Sequence, residues 1–142
     1  MHEQYWELFN KICYADANFR ALFSEVSARD RAYHDLFWQG KDVQMVLRRY
    51  ISENKLVAEI YIRNNSHLFE KAKAQRDAIE REYGNTLIFA EGRSHDGVKA
   101  AVRKIYDEQE FDDISDVSQW KTQIEWMKCT SLKLKHICDK YL

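Results

Sequence analysis

Apolar side chains recur at steps of three and four near the start of the chain, where Tyr5, Trp6, Phe9, Ile12 and Cys13 fall on one face of a helix over residues 2–16. Phe19, Leu22 and Phe23 prolong that helix or form a short turn of their own, and the polar residues 24–31 read as a loop. The period then changes to two. Aromatic residues 33–38, followed by Gly40, predict a first strand, and Val43, Met45 and Leu47 alternating with Gln44, Val46 and Arg48 predict a second that ends near residue 51. Residues 52–55 connect it to a third, with Asn54 placed for a left-handed backbone. In that third strand Leu56, Ala58, Ile60 and Ile62 share one face, and Val57, Glu59, Tyr61 and Arg63 share the other.

Helical spacing returns with Phe69, Ala72, Ile79 and Tyr83, capped by Ser66 at the start and closed by a left-handed Gly84. Residues 86–90 predict a fourth strand, 91–97 a glycine-bounded turn and 98–106 a fifth strand. An acidic connection over 107–116 leads to a last helix with the stripe Trp120, Ile124, Met127, Ser131, Leu134 and Cys138. The order is α-βββ-α-ββ-α. Short turns between successive strands make the sheet of about five strands mainly antiparallel, and helices long enough to cover it place the chain in the α+β class.

Composition narrows the picture. The 142 residues suit a single domain over 1–142 that buries roughly 70% of its unfolded surface. A hydrophobic fraction of 45% with four Trp, eight Tyr and seven Phe is too rich for disorder. No stretch approaches the ~20 apolar residues of a membrane span, and residues 1–10 are polar and acidic rather than basic and then apolar, so a cytoplasmic location is expected. Lys and Arg number 22 against 23 Asp and Glu, so no global field attracts nucleic acid or an anionic membrane. Cys13, Cys129 and Cys138 lack CxxC spacing, which predicts reduced thiols rather than a disulfide framework or zinc site.

The run VAEIYIRNNSHLFE at 57–70, the helix end IEREYG at 79–84, the late Trp120 before a long final helix and the aromatic start YWELF at 5–9 together resemble the bacterial and archaeal domain-of-unknown-function family 4268. The likeness extends from about Tyr5 to Tyr141 and rests on the order and spacing of these motifs. Where family members often carry Trp in the strand after the second helix, this chain has Phe89. Members occur alone or as the C-terminal part of larger proteins whose other part looks like a restriction-type nuclease, so the resemblance implies a setting in DNA restriction or phage defence. It supplies no catalytic residues.

The same element order also suits a restriction-endonuclease-like core, in which two carboxylates hold Mg²⁺ and a lysine polarises water. The nearest match is Asp42 with Glu59, but the lysine position holds Tyr61, and an ion pair of Glu59 with Arg48 or Arg63 is the more economical expectation. Ser94, His95 and Asp96 have triad residue types, yet consecutive side chains diverge. His2, His34, His67 and His136 show no ligand spacing, and no metal site or cofactor is expected outside the nuclease alternative.

Six acids within 107–116 suit a solvated loop leading to a helix N-terminus better than a calcium loop or a DNA mimic. Arg29, Arg31, Lys41, Arg48 and Arg49 do not form one basic groove, because Arg48 and Arg49 point to opposite faces of a strand. Lys121, Lys128 and Lys135 recur every seven residues on the last helix as the candidate phosphate contacts, although three such contacts give a salt slope of only about −2.7. Trp126, about a third of a turn from the apolar stripe and near Ile137, is the candidate protein-binding anchor. The expectation is therefore a non-enzymatic macromolecule-binding domain that takes a protein partner or self-associates, with a Mg²⁺-dependent nuclease or its inactive relative as the alternative.

Overall fold

Tyr5 and Trp6, near the start of the first helix, both pack inward. A computed structural model describes residues 1–37, 42–63, 65–93 and 101–142. Helix α1 (His2–Cys13) buries Tyr5, Trp6, Phe9 and Cys13. Phe19 lies in a separate short helix α2 (Ala17–Leu22), because the Asp16 side chain accepts from the Asn18 and Phe19 N–H groups and starts a new turn. The strands are β1 (Tyr33–Leu36), β2 (Val43–Tyr50), β3 (Lys55–Ile62), β4 (Ile88–Arg93) and β5 (Ala101–Glu110). They form one antiparallel sheet in the order β1-β2-β3-β5-β4.

The third strand lies as its alternation predicts. Leu56, Ala58, Ile60 and Ile62 are at most 1% exposed and join the core together with Met45, Leu47 and Ile105 from neighbouring strands. Asn54 ends the short 3-10 turn before it at φ 49°, in the left-handed region. Its side chain also accepts from the Ile114 N–H at 3.2 Å, tying the turn to the loop after β5. Above this inner face lie α1, α3 (Ser66–Ala74), α4 (Arg76–Tyr83) and the long α5 (Trp120–Tyr141). Trp6, Phe9, Phe69, Ile79, Trp120, Ile124 and Met127, all expected in the core, are buried there.

Four local expectations are corrected. The cap of α3 is Asn65, whose side chain accepts from the Leu68 N–H at 3.1 Å, rather than Ser66. The helix expected to run unbroken to Gly84 divides at Gln75, whose N–H turns back to the Ala72 carbonyl while its side chain caps the Lys71 carbonyl. No glycine or proline marks that step; Gly84 does end α4, at φ 92°. Strand β4 begins at Ile88 rather than residue 86. Finally, β5 runs on to Glu110, so residues 107–110 of the acidic run are strand rather than loop. The expected ends of the first strand at residue 38 and of the fifth at 98–100, with Gly40 and Gly97, lie outside the described residues.

Arg49 shares the inward parity of Met45 and Leu47 and is 2% exposed. Its guanidinium lies 3.9 Å from the Tyr5 ring centroid, meets His2 Nδ1 at 2.8 Å and donates to the Ile114 carbonyl at 3.3 Å. Burial lowers its pKa. The arrangement ties the end of β2 to the start of α1 and the loop before α5, through cation–π and hydrogen-bonding contacts rather than a carboxylate.

Candidate functional site

The outer face of the sheet is where polar chemistry collects. Strand parity and register place Tyr33 and Asp35 of β1, Gln44, Val46, Arg48 and Tyr50 of β2, Lys55, Val57, Glu59 and Tyr61 of β3, and Lys104, Tyr106 and Glu108 of β5 on this face. Val46, Val57 and Glu59 are 1–4% exposed, yet they lie outside the main core cluster. Long side chains of the same face cover them. Arg48 Nε bonds Glu59 Oε1, and Lys104 Nζ stands 3.4 Å from Oε2.

The charges alternate outward from this centre. Lys55 pairs with Glu53 at 3.2 Å and Glu108 at 3.0 Å, and these bonds hold its ammonium pKa above the ordinary lysine value. Arg31 pairs with Asp35 at 3.3 Å and lies 4.2 Å from the Tyr33 ring centroid. Partial burial and the neighbouring Glu108 raise the Tyr106 phenol. Two depressions, of about 390 Å³ around Tyr106 and about 360 Å³ around Tyr61, are lined, among the described residues, by strand residues alone. The face therefore offers tyrosine rings and paired charges over a small valine floor, and of these tyrosine and arginine are enriched at protein interfaces.

The model of a domain of unknown function, DUF4268, matches residues 1–142. The chain belongs to the DUF4268 family. No curated protein and no solved structure matches it.

In this DUF4268 chain the two nuclease carboxylates do not meet. Asp42 lies opposite Arg63, whose N–H it accepts at 2.8 Å, and its side chain accepts from Asn65. Glu59 lies opposite Val46. Four residues along the ladder separate the two acids by roughly 13 Å, too far to share one ion. Glu59 is also closed by two cations, and the residue two places on is the phenol of Tyr61. Among the described residues no three His, Cys, Asp or Glu side chains gather as a metal site. These residues do not fit Mg²⁺.

The structure separates the other candidates. Ser94, His95 and Asp96, and Lys41 of the basic group, lie outside the described residues. His34 is buried against Trp6 and Phe9, His136 meets Glu82 at 3.0 Å and His2 meets Arg49. Lys128 pairs with Asp16 at 2.9 Å, and Lys135, 7% exposed, reaches Asp139 at 2.7 Å, while Lys121 is exposed and has no ion pair among the described residues. Ile137 is 1% exposed and cannot belong to a surface patch, while Trp126 is half-buried against the core. The helix sits deeper than its narrow stripe suggested. Of the acidic run, Asp107 accepts from the Tyr83 hydroxyl at 2.6 Å, Glu108 holds Lys55, and Asp116 caps the turn before α5. Cys13 and Cys138 are buried and Cys129 is exposed, all as free thiols. Among the described residues no helix is long and apolar enough to cross a membrane.

The outer-face tyrosines and Lys104 were missed by sequence reasoning. For Tyr50 and Tyr61 the signal was outward parity in strands whose inward positions were already assigned; no face had been assigned in the first and fifth strands, and Lys104 joins Glu59 only because β5 lies beside β3.

Proposed function

We propose that the chain is a non-enzymatic, cytoplasmic macromolecule-binding domain whose outer sheet face takes up a protein partner, in the setting of DNA restriction or phage defence implied by the family resemblance. The observation that carries this reading is the outer face built on Val46 and Val57 and rimmed by Tyr33, Tyr50, Tyr61 and Tyr106, where among the described residues no helix residue lines either depression. Tyrosine supplies large contact area at a modest entropic cost, arginine is enriched among interface anchors, and the central Glu59 is charge-compensated before any partner arrives. A phosphate backbone is the poorer fit, because Arg48, Lys55 and Lys104 are each already held by an acid. The reading needs no cofactor.

Capture from nuclease-treated host lysate tests this, with wild type compared with the double variant Tyr61→Ala/Tyr106→Ala. Wild type retains a stoichiometric protein, and the double variant loses at least about tenfold in retention, as expected for two interface tyrosines. Retention that disappears with nucleic acid, or survives in the double variant, contradicts the reading. Mg²⁺-dependent DNA cleavage abolished by Glu59→Ala would put the nuclease alternative in its place.

A further inference from the structure

The two edges of the sheet are finished differently. At the β1 edge the strand is only four residues long, and the Ser24 N–H closes onto the Phe37 carbonyl just beyond it at 3.0 Å. The β4 edge runs for six residues without lysine or proline. Its approach is tightly fixed, since the Leu87 N–H donates to Glu80 at 2.6 Å and its carbonyl accepts from Arg76 at 3.0 Å. From Ile88 onward, among the described residues, no further backbone or side-chain hydrogen bond meets the outward edge of the strand. An edge left this way is a template for another strand.

The side chains of β4 say which strand. Ile88, Ala90 and Gly92 share the outer face, and Ile88 is 40% exposed. The fold of one chain does not demand Gly92: its φ is not positive, and a Cβ built there meets nothing within 4 Å. A glycine inside a strand weakens it and often marks close approach by something else. Antiparallel pairing of two β4 strands about a twofold axis at Ala90 sets Ile88 opposite the partner's Gly92, where the missing side chain leaves room. The same register sets Phe89 opposite the partner's Glu91. Arg76 lies over Phe89, with its guanidinium carbon 5.0 Å from the ring centroid, so each seam brings the partner's Glu91 beside Arg76. Within its own chain Glu91 meets Arg103 at 2.8 Å and remains 43% exposed. A slip of the axis to Glu91 would oppose two carboxylates, and a slip to Phe89 would crowd two Arg76 guanidinium groups, so charge selects the Ala90 register.

We infer that this chain forms a homodimer with a second copy by β4-to-β4 strand addition, joining the two sheets into one. The seam uses the free backbone edge of β4, which adjoins the outer-face centre proposed for the partner, since Ala90, Glu91 and Gly92 also line the Tyr106 depression; the inference goes beyond that reading. Sedimentation over a micromolar concentration series tests it. Wild type should move from one-chain to two-chain mass, whereas Gly92→Val should stay at one-chain mass with a melting temperature no lower than that of dilute wild type. In a Cys129→Ser background, Ala90→Cys should form an interchain disulfide under mild oxidation and Ile88→Cys should form far less, because only position 90 meets its own copy across the axis. A wild type that stays at one-chain mass throughout, a dimer that Gly92→Val leaves intact, or equal cross-linking at positions 88 and 90 each overturns the proposal. Loss of lysate capture with dimerisation intact bears on the outer-face reading alone.

Discussion

Lowering the pH from 6.5 to 4 is expected to remove about 3 kcal/mol of folding stability through His34 alone. This imidazole is fully buried, stacked on Trp6 at 4.9 Å with planes 12° apart, and edge-on to Phe9 at 5.5 Å. Nε2 reaches the Asn10 side chain at 3.1 Å, while Nδ1 has no hydrogen-bond partner among the described residues. Burial, with a smaller push from Arg31, lowers its pKa from 6.5 to about 4. The unfolded chain therefore binds a proton between those two values that the folded chain refuses, and stability rises with pH across the window. The contribution is complete above pH 6.5 and is lost on acidification toward 4. His2, whose pKa is also lowered by burial and by Arg49, acts in the same direction. Urea unfolding of wild type and His34→Phe across this range is the check. The variant should show a distinctly flatter dependence on pH, and parallel curves would mean that His34 is hydrated.

Substitution of Ile60 by Ala should cost about 2–5 kcal/mol, whereas Val57→Ala should cost about 1 kcal/mol, although both side chains are nearly inaccessible. Ile60 stands between Met45 and Ile105 in the register, under the helices, where surrounding atoms cannot close a cavity. Val57 is shielded instead on the face carrying Arg48 and Glu108, whose flexible side chains can settle into the vacated space or admit water. Denaturant midpoints with unchanged slopes measure the difference. Equal losses at the two positions would show that the outer face is packed as firmly as the inner one.

These contrasts follow from what strand alternation can and cannot convey. The inward set from Leu56 to Ile62 and the left-handed residues Asn54 and Gly84 were legible because each depends on local sequence. Parity fixes a face but not a neighbour, so Arg48 was one of two partners anticipated for Glu59, with Arg63, while Lys104 required the β3–β5 adjacency. Parity also placed Arg49 beside Met45 and Leu47, yet its charge argued for solvent, and the stacking on Tyr5 that makes burial tolerable involves an element over forty residues away. Acidic composition obscured the end of β5, where Asp107 and Glu108 find Tyr83 and Lys55. In α5 ten of 22 residues are buried, a stripe wide enough to take in Ile137 and Lys135 that apolar spacing alone did not reveal.

Hydroxyl-radical footprinting of the tyrosines, read by mass spectrometry on the free chain and on its complex with the captured protein, addresses the binding face most directly. Tyr33, Tyr50, Tyr61 and Tyr106 should react readily when the chain is free and become protected in the complex, while the buried Tyr5 and Tyr83 stay slow in both. Tyr61 and Tyr106 as unreactive as Tyr5 in the free chain, or equally reactive with and without the partner, would contradict the account.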